Sequence, residues 1–318
     1  MKKLCIVILL CCLTILGATS AQAQDVQFPK NEPINYIIPF SAGGESDLFA
    51  RMQQPYLEKL LGQKIVITYK VGAGGALAWS ELVNSPATGH YLAGINLPHI
   101  ILQPLQRKNA GFKTEELKPV MIFHVTPCVL AVRKDSPYKT LADLLKAAKE
   151  QPGSVIMGGC GSATSGHIAS VLLNKMAGVN IPYVPFPGTS DLPIALLGKH
   201  VTAIMAFTSG YSQYRNEMRV LAIAADERDP SIDAPTFKEL GYNINEGSFR
   251  GISVPPATPD SVVQKLYEAC AQTNKEPAFV EKMKSLGMTP LDMNPAQSAE
   301  FIAGKIEEYK TILKALSK

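Results

Sequence analysis

Charge of one sign, paired cysteines and long apolar runs are all scarce in this 318-residue chain. Charged residues make up 18% and the formal net charge is only +4, part of it from Lys2 and Lys3 at the extreme N-terminus. So small a surplus gives no basic footprint for nucleic acid or an anionic membrane surface. Six cysteines are too few for a disulfide scaffold. His90, His99, His124, His167 and His200 include no pair at metal-ligand spacing, so no metal site or cofactor is expected. The apolar run from Leu4 to Leu16 falls short of the roughly 20 residues that span a bilayer. Enzyme signatures are missing too: no G-x-S-x-G, no phosphate-binding G-x-x-x-x-G-K-[ST], and no G-x-G-x-x-G after a strand. Ser136-Pro137-Tyr138-Lys139 fits S-x-x-K but has no K-T-G partner. Cys160 and His167, seven apart across a turn, have nothing to orient the histidine.

What is present starts with the N-terminus. Lys2-Lys3, the apolar run and Ala21-Gln22-Ala23 form the three zones of a secretory signal peptide, residues 1–23, cleaved near Ala23. The exported chain then carries Cys128, Cys160 and Cys270, an odd number that permits one disulfide at most. Apolar residues at 46% suffice for a packed core.

Short apolar runs alternate with glycine turns and amphipathic stretches. Ile34–Ile38, Lys64–Tyr69, Tyr91–Ile95, Val129–Val132, Val155–Met157, Val201–Met205 and Val220–Ala224 read as strands. Helices are expected from about Ser46, capped by Ser46 or Asp47, to Leu61, and around Ile168, Val171, Leu172 and Met176. Asp191–Leu197 and three C-terminal stretches complete the set. Repeated strand–turn–helix units give an α/β fold with largely parallel sheets. Val125–Arg133 and Phe249–Pro256 read as crossovers, giving lobe one as residues 24–124 plus 250–318 and lobe two as 125–249.

Four turns draw attention: Gly43-Gly44, Gly72 to Gly75, Gly158 to Gly161, and Pro187-Gly188-Thr189-Ser190. In an open parallel sheet such turns sit at the carboxyl ends of strands, where ligands bind. Each following helix presents free N–H groups and a positive dipole end. None of the four contains Lys or Arg, so a bound anion is expected on backbone N–H groups, hydroxyls and water.

In order, these motifs carry a resemblance. Pro39-Phe40-x-x-Gly43-Gly44-x-x-Asp47-x-x-Ala50-Arg51 comes first, then Leu60-Gly62-Gln63 and Gly72-Ala73-Gly74-Gly75, then Asn96 and His99 in an N-x-x-H turn. Gly159-x-Gly161-x-x-Thr164-x-x-His167, Pro185-Phe186-x-Gly188 with Asp191, and Gly251 to Pro259 follow. Together they resemble the solute receptors of tripartite tricarboxylate transporters, the Bug/TctC family, over nearly the whole exported chain. The resemblance implies a two-lobed, type II-like periplasmic-binding-protein (Venus flytrap) fold with its ligand cleft between the lobes. It implies a monomeric periplasmic receptor, not an enzyme, that captures a small organic carboxylate for cognate membrane transporter subunits. By resemblance, Phe40, Ser41, Ala42, Gly43, Gly44, Asp47, Gly74, Gly75, Asn96 and His99 form the first-lobe side of the site. Gly161, Ser162, Thr164, Gly188, Asp191 and Phe207 form the second. Tyr69-Lys70-Val71, Phe249-Arg250 and Phe207-Thr208 depart from the family pattern. They make the cleft more apolar and favour aromatic or aliphatic carboxylates over amino acids. Two alternatives stand beside this reading: a receptor for a sensor kinase, and a secreted α/β hydrolase using Ser41, Ser162 or Cys160.

Overall fold

The computed structural model describes residues 28–316 apart from positions 31 and 163; the expected leader and its cleavage site lie outside them. The first lobe opens with β1 (Ile34–Ile38), α1 (Glu45–Leu61), β2 (Ile65–Tyr69), a 3₁₀ turn at Ala73–Gly75, α2 (Ala76–Val83), β3 (Tyr91–Leu97) and α3 (His99–Gln106). A strand of 16 residues, β4 (Lys118–Arg133), follows. The second lobe contains α4 (Leu141–Glu150), β5 (Met157–Cys160), α5 (Ser165–Ala177), β6 (Tyr183–Phe186), α6 (Asp191–Leu197), β7 (Ala203–Phe207), α7 (Thr208–Gln213) and β8 (Met218–Ala224). Strand β9 (Gly247–Val254) returns, and α8 (Asp260–Lys275), α9 (Pro277–Ser285), β10 (Thr289–Met293) and α10 (Pro295–Leu316) complete the chain.

The sheet order is β2-β1-β3-β9-β4-β7-β5-β6, with β8 and β10 also paired to β4. β4 joins the lobes. Lys118–Pro127 pairs with β9, and Cys128–Arg133 pairs with β7 and β8. Both halves of β4 are covered on two faces, so its burial is nearly continuous rather than alternating. Pairing is parallel inside each lobe, at β1–β2, β1–β3, β5–β6 and β5–β7. It is antiparallel wherever β4 or β9 takes part. The expected largely parallel sheet is therefore mixed, because the strands that pass between lobes run against their neighbours.

Helix α1 buries Phe49, Gln53, Leu57 and Leu61, a stripe at i, i+4 spacing. Phe49 stacks on Phe123 with ring centroids 4.3 Å apart. The expected caps Ser46 and Asp47 lie inside this helix; Gly44 is the N-cap residue and has no side-chain cap. In α5 the buried stripe is Ile168, Ala169, Leu173 and Ala177, whereas Met176 is exposed. The small residues face the sheet there because the helix packs close: a Cβ on Gly166 would lie 3.0 Å from Met205 O. Gly158 and Gly159 belong to strand β5, not to a turn. The Tyr183 ring crosses Gly159 where a side chain would stand, and its hydroxyl donates to Gly161 O at 2.9 Å. Two short strands, β6 and β10, carry too weak an apolar pattern to be read from sequence, with Pro185 and Pro290 inside them. Cys128, Cys160 and Cys270 are free and buried.

The C-terminal helix clamps the return crossover. Tyr309, fully buried on α10, donates to Glu246 Oε2 at 3.2 Å. Burial pushes the Glu246 carboxyl up to about 8, against the pull of Lys305 and the Tyr309 hydrogen bond. Between pH 4.5 and 8 the folded state keeps a proton that the unfolded chain has released, so stability falls as pH rises through that window. Glu246→Gln should remove this slope and exceed the wild type at pH 8–9 by on the order of 1–3 kcal/mol. Urea unfolding across pH 5–9 measures it; parallel profiles for the two proteins would refute the assignment.

Candidate functional site

The two lobes meet at their glycine loops. In lobe one, the Gly44 N–H donates to Ser41 O and the Gly43 N–H to Asp47 Oδ2 at 2.7 Å. Asp47 Oδ1 accepts from Arg51 at 2.9 Å and from the Tyr69 hydroxyl at 2.7 Å. Lobe two repeats the device: the Gly188 N–H donates to Asp191 Oδ2 at 2.8 Å. Each aspartate folds its own loop back onto the following helix. Asp47 is engaged through both oxygens and Asp191 through Oδ2.

The loops then touch across the lobes. The Glu45 N–H, at the uncapped start of α1, donates to Thr189 Oγ1 at 3.0 Å. Thr189 of the second lobe thus satisfies a helix-terminal donor of the first. Gln103 Nε2 donates to Ser162 O at 3.0 Å. A Cβ on Gly44 would lie 3.1 Å from Ser41 O and 3.2 Å from Thr189 Oγ1, so only glycine permits this approach without displacement.

Behind the loops sits a buried charge network. Glu45 Oε1 accepts from Arg250 Nη1 at 2.5 Å, from Thr126 Oγ1 at 2.6 Å and from His124 Nε2 at 3.3 Å. Its Oε2 accepts from Ser209 Oγ at 2.5 Å. Arg250 Nη1 also donates to Thr126 Oγ1 at 2.7 Å, and its guanidinium lies 5.1 Å over the Phe207 ring. Burial alone would raise the Glu45 carboxyl; Arg250, His124 and Ser209 outweigh it and bring it down to about 2. Burial lowers His124, so Nε2 donates as a neutral imidazole. Burial and Arg250 together push His99 down to about 3. At neutral pH the cleft therefore holds one anion, one cation and two neutral histidines.

Phe40, Glu45, Ser46, Asn96, His99, Cys160, Thr189, Phe207 and Arg250 line a cavity of about 10 Å³ between the lobes. A second cavity of about 80 Å³ lies between Gly43, Leu48, Thr189 and Ser209, with Glu45 also in its wall. Three residues that line the smaller cavity each carry a buried polar atom without a hydrogen-bond partner, Asn96 Oδ1, His99 Nδ1 and Arg250 Nε, and Asn96 and Arg250 also border a space of about 10 Å³ beside Tyr36 and Phe123. Buried groups of this kind are costly unless something pairs with them. A larger cavity, about 540 Å³, lies on lobe two beside Tyr211, Arg219 and Leu240. None of the glycine loops reaches it. The convergence of those loops and of the unpaired polar atoms marks the smaller, inter-lobe space as the candidate site.

Of the residues expected from sequence, Phe40, Asn96, His99 and Phe207 line this cavity. Phe40 packs edge-on against His99 at 5.2 Å and Trp79 at 6.4 Å. Ser41, Gly44, Gly188 and Ser162 form the lobe-to-lobe contact. Gly43 borders the second cavity, and Ala42 is exposed. Thr164 caps α5 by accepting the His167 N–H at 3.1 Å, and Gly161, at φ 73°, turns the chain into it. Gly74 lies against Gln103 and Gly75 against Trp79. Sequence reasoning passed over Glu45, Thr126 and Ser209, named Thr189 only as part of a glycine turn, and met Arg250 only as a departure. The glycine turns themselves carry no basic side chain, but Arg250 reaches the cavity wall from β9. An arginine inside the otherwise buried strand Gly247–Val254 was the available signal. Cys160 is a wall residue whose thiol burial pushes up to about 12, so it offers no thiolate for a nucleophilic role.

A two-lobed α/β scaffold with one cleft walled by glycine loops is the architecture of a solute-binding protein. The chain superposes on the periplasmic binding protein BugD with a TM-score of 0.86 at 26% identity, covering 91% of this chain and 99% of that one. It superposes on MatC from Rhodopseudomonas palustris with bound malate with a TM-score of 0.83 at 25% identity, covering 90% and 99%. A UPF0065 protein in the gbd 5′ region of Cupriavidus necator is 32% identical over 306 residues, 95% of this chain and 92% of that protein. The family model described as "Tripartite tricarboxylate transporter family receptor", TctC, matches residues 49–317. The chain belongs to that family, one of receptors rather than enzymes.

The network carries a stability prediction. Glu45→Ala leaves the Arg250 charge buried without its counter-ion and should cost on the order of 3–5 kcal/mol in urea unfolding at pH 7. Because the folded Glu45 carboxyl lies below its unfolded value, its contribution is present above pH 4.5 and fades as pH falls towards 2. A Glu45→Ala loss under 1 kcal/mol at pH 7 would show that the pair contributes nothing.

Proposed function

We propose that the protein is a periplasmic receptor that closes its lobes on a small organic carboxylate and hands it to a tripartite tricarboxylate-type membrane transporter. Family membership and the malate-bound neighbour support a carboxylate. The carrying observation is the inter-lobe cavity, where Arg250 Nε and two further buried polar atoms have no protein partner. A carboxylate satisfies the Arg250 Nε–H donor with a charge-assisted hydrogen bond.

On this reading the hinge lies where β4 and β9 pass between the lobes, near Val125–Cys128 and Gly247–Arg250. A space of about 10 Å³ admits roughly one water, so the lobes part to let a ligand in. Parting them withdraws Thr189 from the Glu45 N–H, and a ligand oxygen then takes its place at the positive end of α1. The monomer and the exported location expected from sequence fit a freely diffusing receptor. No helix among the described residues is long and apolar enough to cross a membrane.

Thermal-shift screening of ligand-free protein against mono-, di- and tricarboxylates tests the reading. At a hundredfold excess over Kd a true ligand should raise Tm by roughly 5 °C or more. Gly44→Val should keep the fold and lose at least tenfold in affinity, because a branched side chain cannot fit between Ser41 O and Thr189. A silent panel, or Gly44→Val binding as the wild type does, would overturn the proposal.

A further inference from the structure

The donor and acceptor inventory of the cleft narrows the ligand further. Arg250 spends Nη1 on Glu45 and Thr126, while its buried Nε has no partner. That leaves the Nε edge of the guanidinium for a carboxylate, with Phe207 fixing its plane from one face. Asn96 donates from Nδ2 to Ser46 Oγ at 3.1 Å, and its Oδ1 is a buried acceptor with nothing to accept. His99 is neutral and presents an unpaired Nδ1. A plain carboxylate offers only acceptors and would leave Asn96 Oδ1 unpaired.

An ammonium would satisfy Asn96 but needs a counter-charge. Glu45 Oε1 already accepts three hydrogen bonds and Oε2 a fourth. Asp47 and Asp191 are bound to their own loops. Among the described residues Glu45 is the one carboxylate in this cavity's wall, and its hydrogen bonds already commit both of its oxygens.

We infer that Arg250 anchors the ligand's carboxylate and that Asn96, with His99, reads a hydroxyl beside it, so that the receptor selects a hydroxycarboxylate over both its deoxy and its amino analogue. Glu45 is the positioning residue that holds the guanidinium edge towards the cavity. The inference rests on the carboxylate reading above and adds residue roles and a substituent rule to it.

Malate, succinate and aspartate differ only in bearing OH, H or NH₃⁺ at one carbon, and lactate and propionate form a shorter pair. Isothermal titration of ligand-free wild-type protein with all five is the test. The hydroxy acid of at least one set should bind tenfold or more tighter than its analogues, since a buried acceptor left unpaired costs about that much. Asn96→Ala should bring the hydroxy and deoxy affinities within about twofold of each other, because neither acid then meets or leaves unpaired the Asn96 acceptor. Arg250→Lys, which keeps charge but loses the planar fork, should weaken every acid that binds by tenfold or more. Equal wild-type affinity for hydroxy and deoxy acids overturns the substituent rule while the carboxylate reading stands, and this comparison needs no variant to fold. Tighter binding of aspartate than malate overturns the rule as well. Arg250→Lys binding like the wild type overturns the anchor. If none of the five binds, the hydroxycarboxylate inference falls, while the carboxylate reading stands or falls on the wider thermal-shift panel.

Discussion

The ion pair between Glu45 and Arg250 is the interaction on which the cleft depends. Glu45 opens α1, Thr126 lies on β4, Ser209 begins α7 and Arg250 lies on β9, so one carboxylate ties both crossover strands to one helix from each lobe. Taking two charges out of water is expensive, and the pair holds only because every oxygen of Glu45 is hydrogen-bonded. Both residues are about 4% exposed. The result is a rigid, electrically neutral floor under a space that faces both lobes. On the proposed reading, a neutral floor lets a near-neutral protein handle an anion with one edge of a guanidinium and the N-terminal end of α1, without a basic surface.

The loops above that floor are built by a repeated local rule. A glycine N–H is folded onto an aspartate four residues on in lobe one and three residues on in lobe two. This makes each loop stiff before any ligand arrives, which reduces the ordering cost of binding. It also engages both oxygens of Asp47 and Oδ2 of Asp191 within their own loops and helices. Their value to binding is the shape of Gly43-Gly44 and Gly188-Thr189.

The legible part of this molecule was whatever repeats locally. Apolar runs with glycine turns revealed the α/β units, and the ordered glycine motifs revealed the family. Phe40, Asn96 and His99, which line the inter-lobe cavity, stood out in the sequence because they belong to such motifs. The network of Glu45, Thr126, Ser209 and Arg250 was not found, because its members are brought together from segments 81 to 205 residues apart. A lone arginine in a strand and a glutamate after two glycines have ordinary solvent-exposed uses, and only the crossover topology brings them together. The mixed sheet was missed for the same reason. Parallel or antiparallel pairing follows from where the chain returns, and Lys118–Arg133 reads locally like any apolar strand.

A crystal structure of the protein grown with a carboxylate that stabilises it tests the central claim most directly. The account predicts the acid between the Phe40–Glu45 loop and the Gly188–Ser190 loop, its carboxylate against the Nε edge of Arg250 and the Glu45–Arg250 pair intact. Density in the lobe-two cavity beside Tyr211 and Arg219, with no acid between the loops, would contradict it.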